Sequence, residues 1–300
     1  IVRAFNKLML HFFSNFFMYL LGFKKPILWS YNPMTMDVFS VKPNVKVVYH
    51  CVDEIKEQPG MPVREMENAE NRLLKRADYV FVTSERLYKT RKQMNNNTFL
   101  FSNVADYEHF SKARSEKIVI PEDVACVRRP ILGFVGAISS YKVDFKLLSF
   151  VARSRPDYSI VLIGKVGEGD PGTDVSLLEF DNIHFLGPRA YDDLPAYIKS
   201  FDVAMIPVAL NEYTHAMFPM KFFEYLSAGK RMVSTNIDSL KSYGDCVSIA
   251  NSYDEFISYI DQILADKDDE ALSQRLALAK ENTYRIRTEK MLAIINGASA

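Results

Sequence analysis

The sequence predicts an α/β protein built from two parallel-sheet domains, and three observations carry that reading. The chain has 300 residues and a mass of 34.4 kDa, about twice the usual domain size. With 48% hydrophobic and 25% charged residues it has the apolar side chains for real cores, which excludes wholesale disorder. Short β-rich runs alternate with helix-sized segments, the order expected of parallel strands covered by helices.

Residues 1–23 form the most apolar stretch, with a polar stripe at Arg3, Lys7, His11, Ser14 or Asn15 and Gly22. That spacing is helical and predicts one amphipathic helix. The uncharged run from Leu8 to Phe23 contains His11, Ser14 and Asn15 and falls short of the ~20 apolar residues that span a bilayer. The reading adopted is a helix packed on a sheet; an interfacial membrane helix is the alternative.

Beyond Lys25, strands are predicted at Ile27–Tyr31, Val45–Val52, Tyr79–Ser84 and Thr98–Phe101, with helices at Arg64–Arg76 and Glu85–Met94. Periodicity fades between Ser111 and Pro130, which places the inter-domain linker there and gives domains of residues 1–120 and 121–300. The second half holds six apolar runs: Ile131–Val135, Ile160–Ile163, Ile183–Leu186, Val203–Ile206, Met232–Thr235 and Val247–Ile249. Helix-sized segments separate most of them, so this half reads as a doubly wound domain. The tail from Tyr253 to Ile295 reads as two or three helices with a charged break at Asp266–Glu270.

Lys plus Arg equals Asp plus Glu at 37 each, so no global field draws the chain to nucleic acid, and an anionic ligand must be held by local groups. The three cysteines, Cys51, Cys126 and Cys246, are far apart and lack C-x-x-C pairing, against both a disulfide framework and a zinc site. A reducing, cytoplasmic compartment follows. No pattern calls for a metal or any other cofactor.

In an open parallel sheet, ligands bind beyond the carboxyl ends of the strands. Four of these ends are punctuated by Gly136, Gly164, Gly187 and Pro207. Glycine there lets backbone amides approach a phosphate, although each alone also reads as a plain turn. Gly164, Gly167 and Gly169 lead into Asp170-Pro171-Gly172 and open no helix, so this is a mobile loop rather than a dinucleotide fingerprint. The sharper signal runs from Asn211 to Gly229. Pro219 suits a first helical turn and Gly229 a helix stop, so a short helix aims its N-terminus, around Phe218, Pro219 and Met220, at the crevice. On it Lys221 and Glu224 share one face: a cation for phosphate beside a carboxylate for ribose hydroxyls, or else a surface ion pair.

The segment FPMKFFEYLSAGKRMVST (218–235) resembles the P-x-K-x-x-E-Y-x-x-x-G-K-x-V-V signature of bacterial GT-B glycosyltransferases of the retaining, teichuronic-acid-type group. ILWSYNP (27–33), VVYHCVDE (47–54), LLKRADYVFVTSERL (73–87), FSNVADYEHF (101–110), PILGFVGAIS (130–139) and residues 182–208 fit the same pattern in order. The resemblance implies two Rossmann-like domains, a nucleotide-sugar donor held by the C-terminal one, and an acceptor, polysaccharide or lipid-linked, facing the N-terminal one. It implies metal-independent transfer with retention at the cytoplasmic membrane face, where residues 1–23 would make peripheral contact.

Residue by residue, Glu224 takes the ribose role of the second Glu in an E-x7-E motif. The first falls on Ala216, leaving His215 or Tyr213 to reach the sugar. Where relatives carry G-R-L-x-x-x-K, this chain has Gly136, Ala137 and then Lys142, so Lys221 would replace the missing arginine on the diphosphate. Arg189, after Gly187, would lie near the base. Asp53 and Asn103 are the remaining candidates, Asp53 among the catalytic groups and Asn103 toward the acceptor. Relatives open with a strand, a glycine-rich loop and a helix that do not precede Ile1, so the N-terminal domain is expected to be incomplete. A sugar-nucleotide epimerase of the same fold, or a non-catalytic nucleotide-binding or membrane-associated fragment, are the alternative functions.

Overall fold

The protein is described by a computed structural model covering residues 2–24, 26–38, 45–266 and 270–297. Its contacts divide the chain into two units, Ile1–Ser102 and Asn103–Ala300.

The first unit carries four parallel strands, β1 (Ile27–Ser30), β2 (Lys46–Cys51), β3 (Tyr79–Val82) and β4 (Thr98–Leu100), in the order β1-β2-β3-β4. From Val47 onward β2 is buried residue after residue, as a parallel strand covered on both faces must be. The Val63–Arg76 helix turns Met66, Ala69, Leu73 and Leu74 inward at three- and four-residue spacing. Ser84 caps the Glu85–Lys92 helix by accepting from the Leu87 amide. The four described strands progress in one direction, so the switch point expected of a doubly wound domain is not among them.

The Val2–Leu20 helix forms as the polar stripe predicts, but it faces the other way. Lys7, His11, Ser14 and Asn15 are the half-buried side, and Lys7 Nζ donates to the Met36 carbonyl at 3.2 Å. Phe5, Leu8, Phe12, Phe16 and Tyr19 are exposed, Tyr19 to 88%. This corrects the expectation of an apolar face packed on a sheet. Ile1 and the Arg3 side chain lie outside the described residues. Among the described residues no helix is long and apolar enough to cross a membrane.

The second unit has six parallel strands: β5 (Ile131–Val135), β6 (Ser159–Ile163), β7 (Ile183–Gly187), β8 (Val203–Ile206), β9 (Met232–Thr235) and β10 (Ser248–Ala250). Their order is β10-β9-β8-β5-β6-β7, so the winding reverses between β8 and β5, the doubly wound pattern read from the sequence. Alternate residues feed two cores. Ile131, Val135, Val161, Ile163, Ala204 and Ile206 point to one face, with Phe110, Tyr197 and Phe222. Leu132, Phe134, Ile160, Leu162, Val203 and Met205 point to the other, with Leu148, Phe256 and Ile260.

Residues 103–120, read from the sequence as part of the N-terminal domain, fall in the second unit, and 111–130 is no linker. Tyr107, Phe110, Ala113 and Val124 are buried in the same core as Tyr197 and Phe222. Polar ties add to this: Arg114 Nε donates to the Ser227 carbonyl at 3.2 Å, and Lys199 Nζ to the carbonyls of Ser115 and Ile118 at 2.8 and 2.7 Å. The tail forms three helices, Tyr253–Ala265, Leu272–Glu281 and Tyr284–Ile295. Residues 267–269 of the predicted charged break lie outside the described residues.

Candidate functional site

The carboxyl ends of β5, β6 and β7 are stitched together by their glycines. The Gly136 amide donates to the Ile163 carbonyl at 2.9 Å, and the Gly164 amide to the Gly187 carbonyl at 3.0 Å. A Cβ on Gly164 would sit 1.8 Å from the Gly136 carbonyl oxygen, so glycine is required there by strand approach alone. The Gly164–Thr173 loop is anchored rather than mobile: Ile138 pairs with Val166, Ser139 Oγ donates to the Glu168 carbonyl at 3.1 Å, and Ser140 Oγ to Asp170 at 3.2 Å.

The segment after β8 folds as the proline and glycine predict. The Lys221–Ser227 helix begins after Pro219 and ends before Gly229, whose φ is +72°. Tyr225 docks it on the sheet, its buried hydroxyl accepting from the Val135 amide at 2.9 Å. This ties the helix that carries Glu224 to Val135, the last residue of β5, one short of Gly136. Asn103 Nδ2 donates to the Phe218 carbonyl at 2.9 Å and holds the entry to the helix. Asn103, expected on the acceptor side, therefore lies in the second unit and holds the segment that precedes Lys221.

Glu224 is only 3% exposed, and Lys221 Nζ lies 2.6 Å from its carboxylate. The surface-pair reading fails on this burial. A desolvated carboxylate needs a partner, and Lys221 is that partner. The cation and the carboxylate thus satisfy each other, and a ligand here would bind to a preformed pair rather than to a free ammonium. Phe218 and Pro219 are buried, Met220 is exposed, and proline has no amide hydrogen, so the free-amide reading reduces to Phe218 and Met220.

Lys142 sits half-buried on the loop after β5, with its ammonium 5.3 Å above the Tyr141 ring and 5.9 Å from the Tyr213 ring. The two rings are themselves in contact at 5.3 Å. Asn211 ties this loop to the one after β8, donating from Nδ2 to the Tyr141 carbonyl at 2.7 Å while capping the Glu212–His215 turn in a capping box with Thr214. Tyr213 is therefore a buried wall under Lys142, not a free substitute for a sugar-binding glutamate. Ala216 is fully buried. His215 is half-buried, with Nδ1 3.9 Å from an Asp238 oxygen, too long for a hydrogen bond.

Two expected site residues are placed otherwise. The Arg189 guanidinium pairs with Asp123 at 2.6 Å and lies 5.3 Å over the Tyr197 ring. Asp53 lies in the first unit, just past β2. Next to it is a cluster that the sequence did not reveal. Arg91, buried, donates to both oxygens of Glu54 at 2.6 Å and to both oxygens of Glu70 at 2.9 Å. The Tyr49 hydroxyl adds a bond to Glu70 at 2.8 Å. Burial works against the Arg91 charge, but the carboxylates raise its pKa above the ordinary arginine value. Burial likewise pushes the adjacent Cys51 thiol up to about 12. A hint existed in helical spacing, since Glu70 lies one and four residues from Ala69 and Leu74 on a buried face.

Among the described residues no group of three or more His, Cys, Asp or Glu is placed to hold a metal ion.

Comparisons with known proteins agree with this architecture. Residues 129–266 match the family described as glycosyl transferases group 1. The chain is 30% identical over 180 residues to the putative teichuronic acid biosynthesis glycosyltransferase TuaH of Bacillus subtilis, a match covering 58% of this chain. It spans 44% of the length of that relative. Among solved structures it resembles Anabaena HepE in complex with UDP and glucose, with a TM-score of 0.68 at 18% identity over 84% of this chain and 72% of that one. It also resembles sucrose-phosphate synthase from Thermosynechococcus elongatus, with a TM-score of 0.67 at 16% identity over 96% of this chain and 78% of that one. The two parallel sheets are those of a GT-B fold, and the match to the group 1 glycosyltransferase family lies within the second of them.

Proposed function

We propose that the protein is a glycosyltransferase that moves a sugar from a nucleotide-diphospho-sugar to a polysaccharide or lipid-linked acceptor, with retention and without a metal. The observation that carries this is the placement of the buried Lys221–Glu224 pair on a helix locked by Tyr225 to the end of β5. That end adjoins the point where the sheet order reverses, which is where a doubly wound sheet takes its ligand. UDP bound to HepE supports a nucleotide-sugar as the donor.

The reaction exchanges the anomeric carbon's bond to the diphosphate for a bond to an acceptor hydroxyl, so negative charge builds on the departing diphosphate. Lys142, held over Tyr141 and Tyr213, and Lys221 are the cations offered to that charge, alongside the backbone at Gly136, Ala137, Gly164 and Phe218–Met220. Glu224 accepts from ribose hydroxyls, and His215 is left as the side chain for the donor sugar. Asp53 belongs to the first unit, the side assigned to the acceptor. The exposed aromatic face of the Val2–Leu20 helix suits peripheral contact with a cytoplasmic membrane face, with the exposed Lys24 near anionic headgroups.

The test is release of free nucleotide from UDP-sugars with and without a glycan acceptor. Release that depends on acceptor, together with a Glu224→Gln variant that stays folded at the assay temperature but binds donor ~10-fold more weakly, is expected, since an amide accepts fewer hydrogen bonds than a carboxylate. Epimerised donor, or no turnover with unaltered binding, would overturn the proposal. Sedimentation with anionic vesicles checks the membrane contact, and its loss in Phe12→Asp/Phe16→Asp is the expected result.

A further inference from the structure

The turn that follows β2 carries Asp53, and each of its three residues is held. Thr83, fully buried just past β3, donates from Oγ1 to the Val52 carbonyl at 2.7 Å. The Cys51 thiol lies 3.7 Å from the Asp53 carbonyl. Glu54 is gripped through both carboxylate oxygens by Arg91, which is itself held by both oxygens of Glu70. The turn is thereby strapped to the Glu85–Lys92 helix through Arg91 and to the Val63–Arg76 helix through Glu70. None of these holds uses the Asp53 carboxylate. Asp53 itself is half-buried at the carboxyl end of a parallel strand, the end where such sheets take their ligands.

Stability is a poor account of this arrangement. An arginine and two carboxylates lose hydration on burial, and apolar side chains of similar volume commonly do as well or better in such places. What the ions supply and apolar packing does not is geometry. A planar fork of donors fixes a carboxylate in both position and orientation. The carboxylate fixed here belongs to the residue next to Asp53.

We infer that Arg91 is a positioning residue for sugar transfer: its grip on Glu54 sets the Val52–Glu54 turn and so aims Asp53 at the acceptor. The inference rests on the transferase reading above, in which Asp53 belongs to the acceptor side, and adds to it a residue that touches no substrate. Arg91 acts after donor binding, because the Lys221–Glu224 pair offered to the donor lies in the other unit.

The experiment compares wild type, Glu54→Gln and the combined Arg91→Met/Glu54→Leu/Glu70→Met variant. It reads urea stability, UDP binding by calorimetry, and acceptor-dependent UDP release from the UDP-sugar and glycan that wild type turns over. With no charge left unpaired, the triple variant should keep most of the wild-type stability and bind UDP within about twofold, while kcat falls ~10- to 100-fold, the cost of a misaimed group. Hydrogen exchange of residues 52–57, followed by mass spectrometry, should be ~10-fold faster in the triple variant. Glu54→Gln keeps one acceptor for the guanidinium, so its kcat should lie between the two. A stable triple variant that transfers at the wild-type rate overturns the inference, as does a kcat loss with exchange unchanged. If the triple variant does not fold, Glu54→Gln at the wild-type rate overturns it. UDP binding that weakens in step with kcat also does so, since the network would then serve the fold at large. All of these leave the transferase reading in place. If wild type releases no UDP from any UDP-sugar, both readings fall.

Discussion

The second unit covers its six strands with apolar side chains on both faces, whereas the first sets a guanidinium, two carboxylates and a tyrosine hydroxyl against β2. The difference lies in where long-range order comes from. In the second unit, order comes from alternation along each strand, which sorts side chains between two cores without any specific partner. In the first, Arg91 must find Glu54 and Glu70, 37 and 21 residues away, and only that meeting makes three buried charges tolerable. The first unit also leaves the aromatic face of its Val2–Leu20 helix uncovered.

The largest expected effect breaks the first unit. Arg91→Met should cost about 3–5 kcal/mol by stranding two buried carboxylates, read by urea unfolding. Arg91→Met combined with Glu54→Leu and Glu70→Met should recover most of that loss, because no charge is then left unpaired. Failure of the triple variant to recover would mean that the network specifies the fold rather than merely neutralising itself.

In the second unit the counterpart is a glycine. Gly164→Ala should cost about 3 kcal/mol or more, because the new Cβ meets the Gly136 carbonyl at 1.8 Å and neither backbone can retreat. Gly60→Ala in the first unit has open space around the Cβ and a φ of +76°, so only the left-handed backbone penalty of about 1 kcal/mol should appear. Equal losses at both sites would contradict the strand-end stitching.

A smaller effect depends on pH. Lys230 Nζ donates to the carbonyls of Lys199 and Phe201 at 2.9 and 2.6 Å, and burial depresses its pKa to about 8. Between that value and the unfolded one near 10.5 the unfolded chain binds the extra proton, so stability rises with pH. From pH 8 to 9.5 the gain should be about 1–2 kcal/mol, and Lys230→Met should flatten the slope. A wild-type slope that is flat or falling over this interval, or one the variant leaves unchanged, counts against it.

The mildest comparison is chemical. Cys126 is exposed, Cys51 is buried with its thiol pushed up to about 12, and burial also raises the Cys246 pKa. Iodoacetamide at pH 8 should label Cys126 first by mass spectrometry, with Cys51 last because almost none of it is thiolate. Early labelling of Cys51 would show that the first unit opens.

The periodic parts of the molecule are legible in its sequence. Ile131–Val135, Val203–Ile206 and Met232–Thr235 are strands with the expected limits, and the 221–227 helix starts and stops where Pro219 and Gly229 place it. These features depend on near neighbours: alternation, a fixed proline φ, a glycine able to turn left-handed. So do the strand ends, and with them the region of the candidate site. The sequence by itself therefore determined the fold class, the second sheet and the segment carrying Lys221 and Glu224.

What only tertiary structure decided are pairings across long separations. Asn103 bonds to Phe218, 115 residues on, which moves it from one unit to the other. Asp123 captures Arg189 across 66 residues, and His109 backs Tyr191 across 82. The outward turn of the Val2–Leu20 aromatic face belongs with them, since the stripe fixes two helix faces but not which one is covered. Chain spacing carries no information about such meetings. They follow from which faces the packed core leaves within hydrogen-bond or stacking distance, and that is settled only when all the elements are in place.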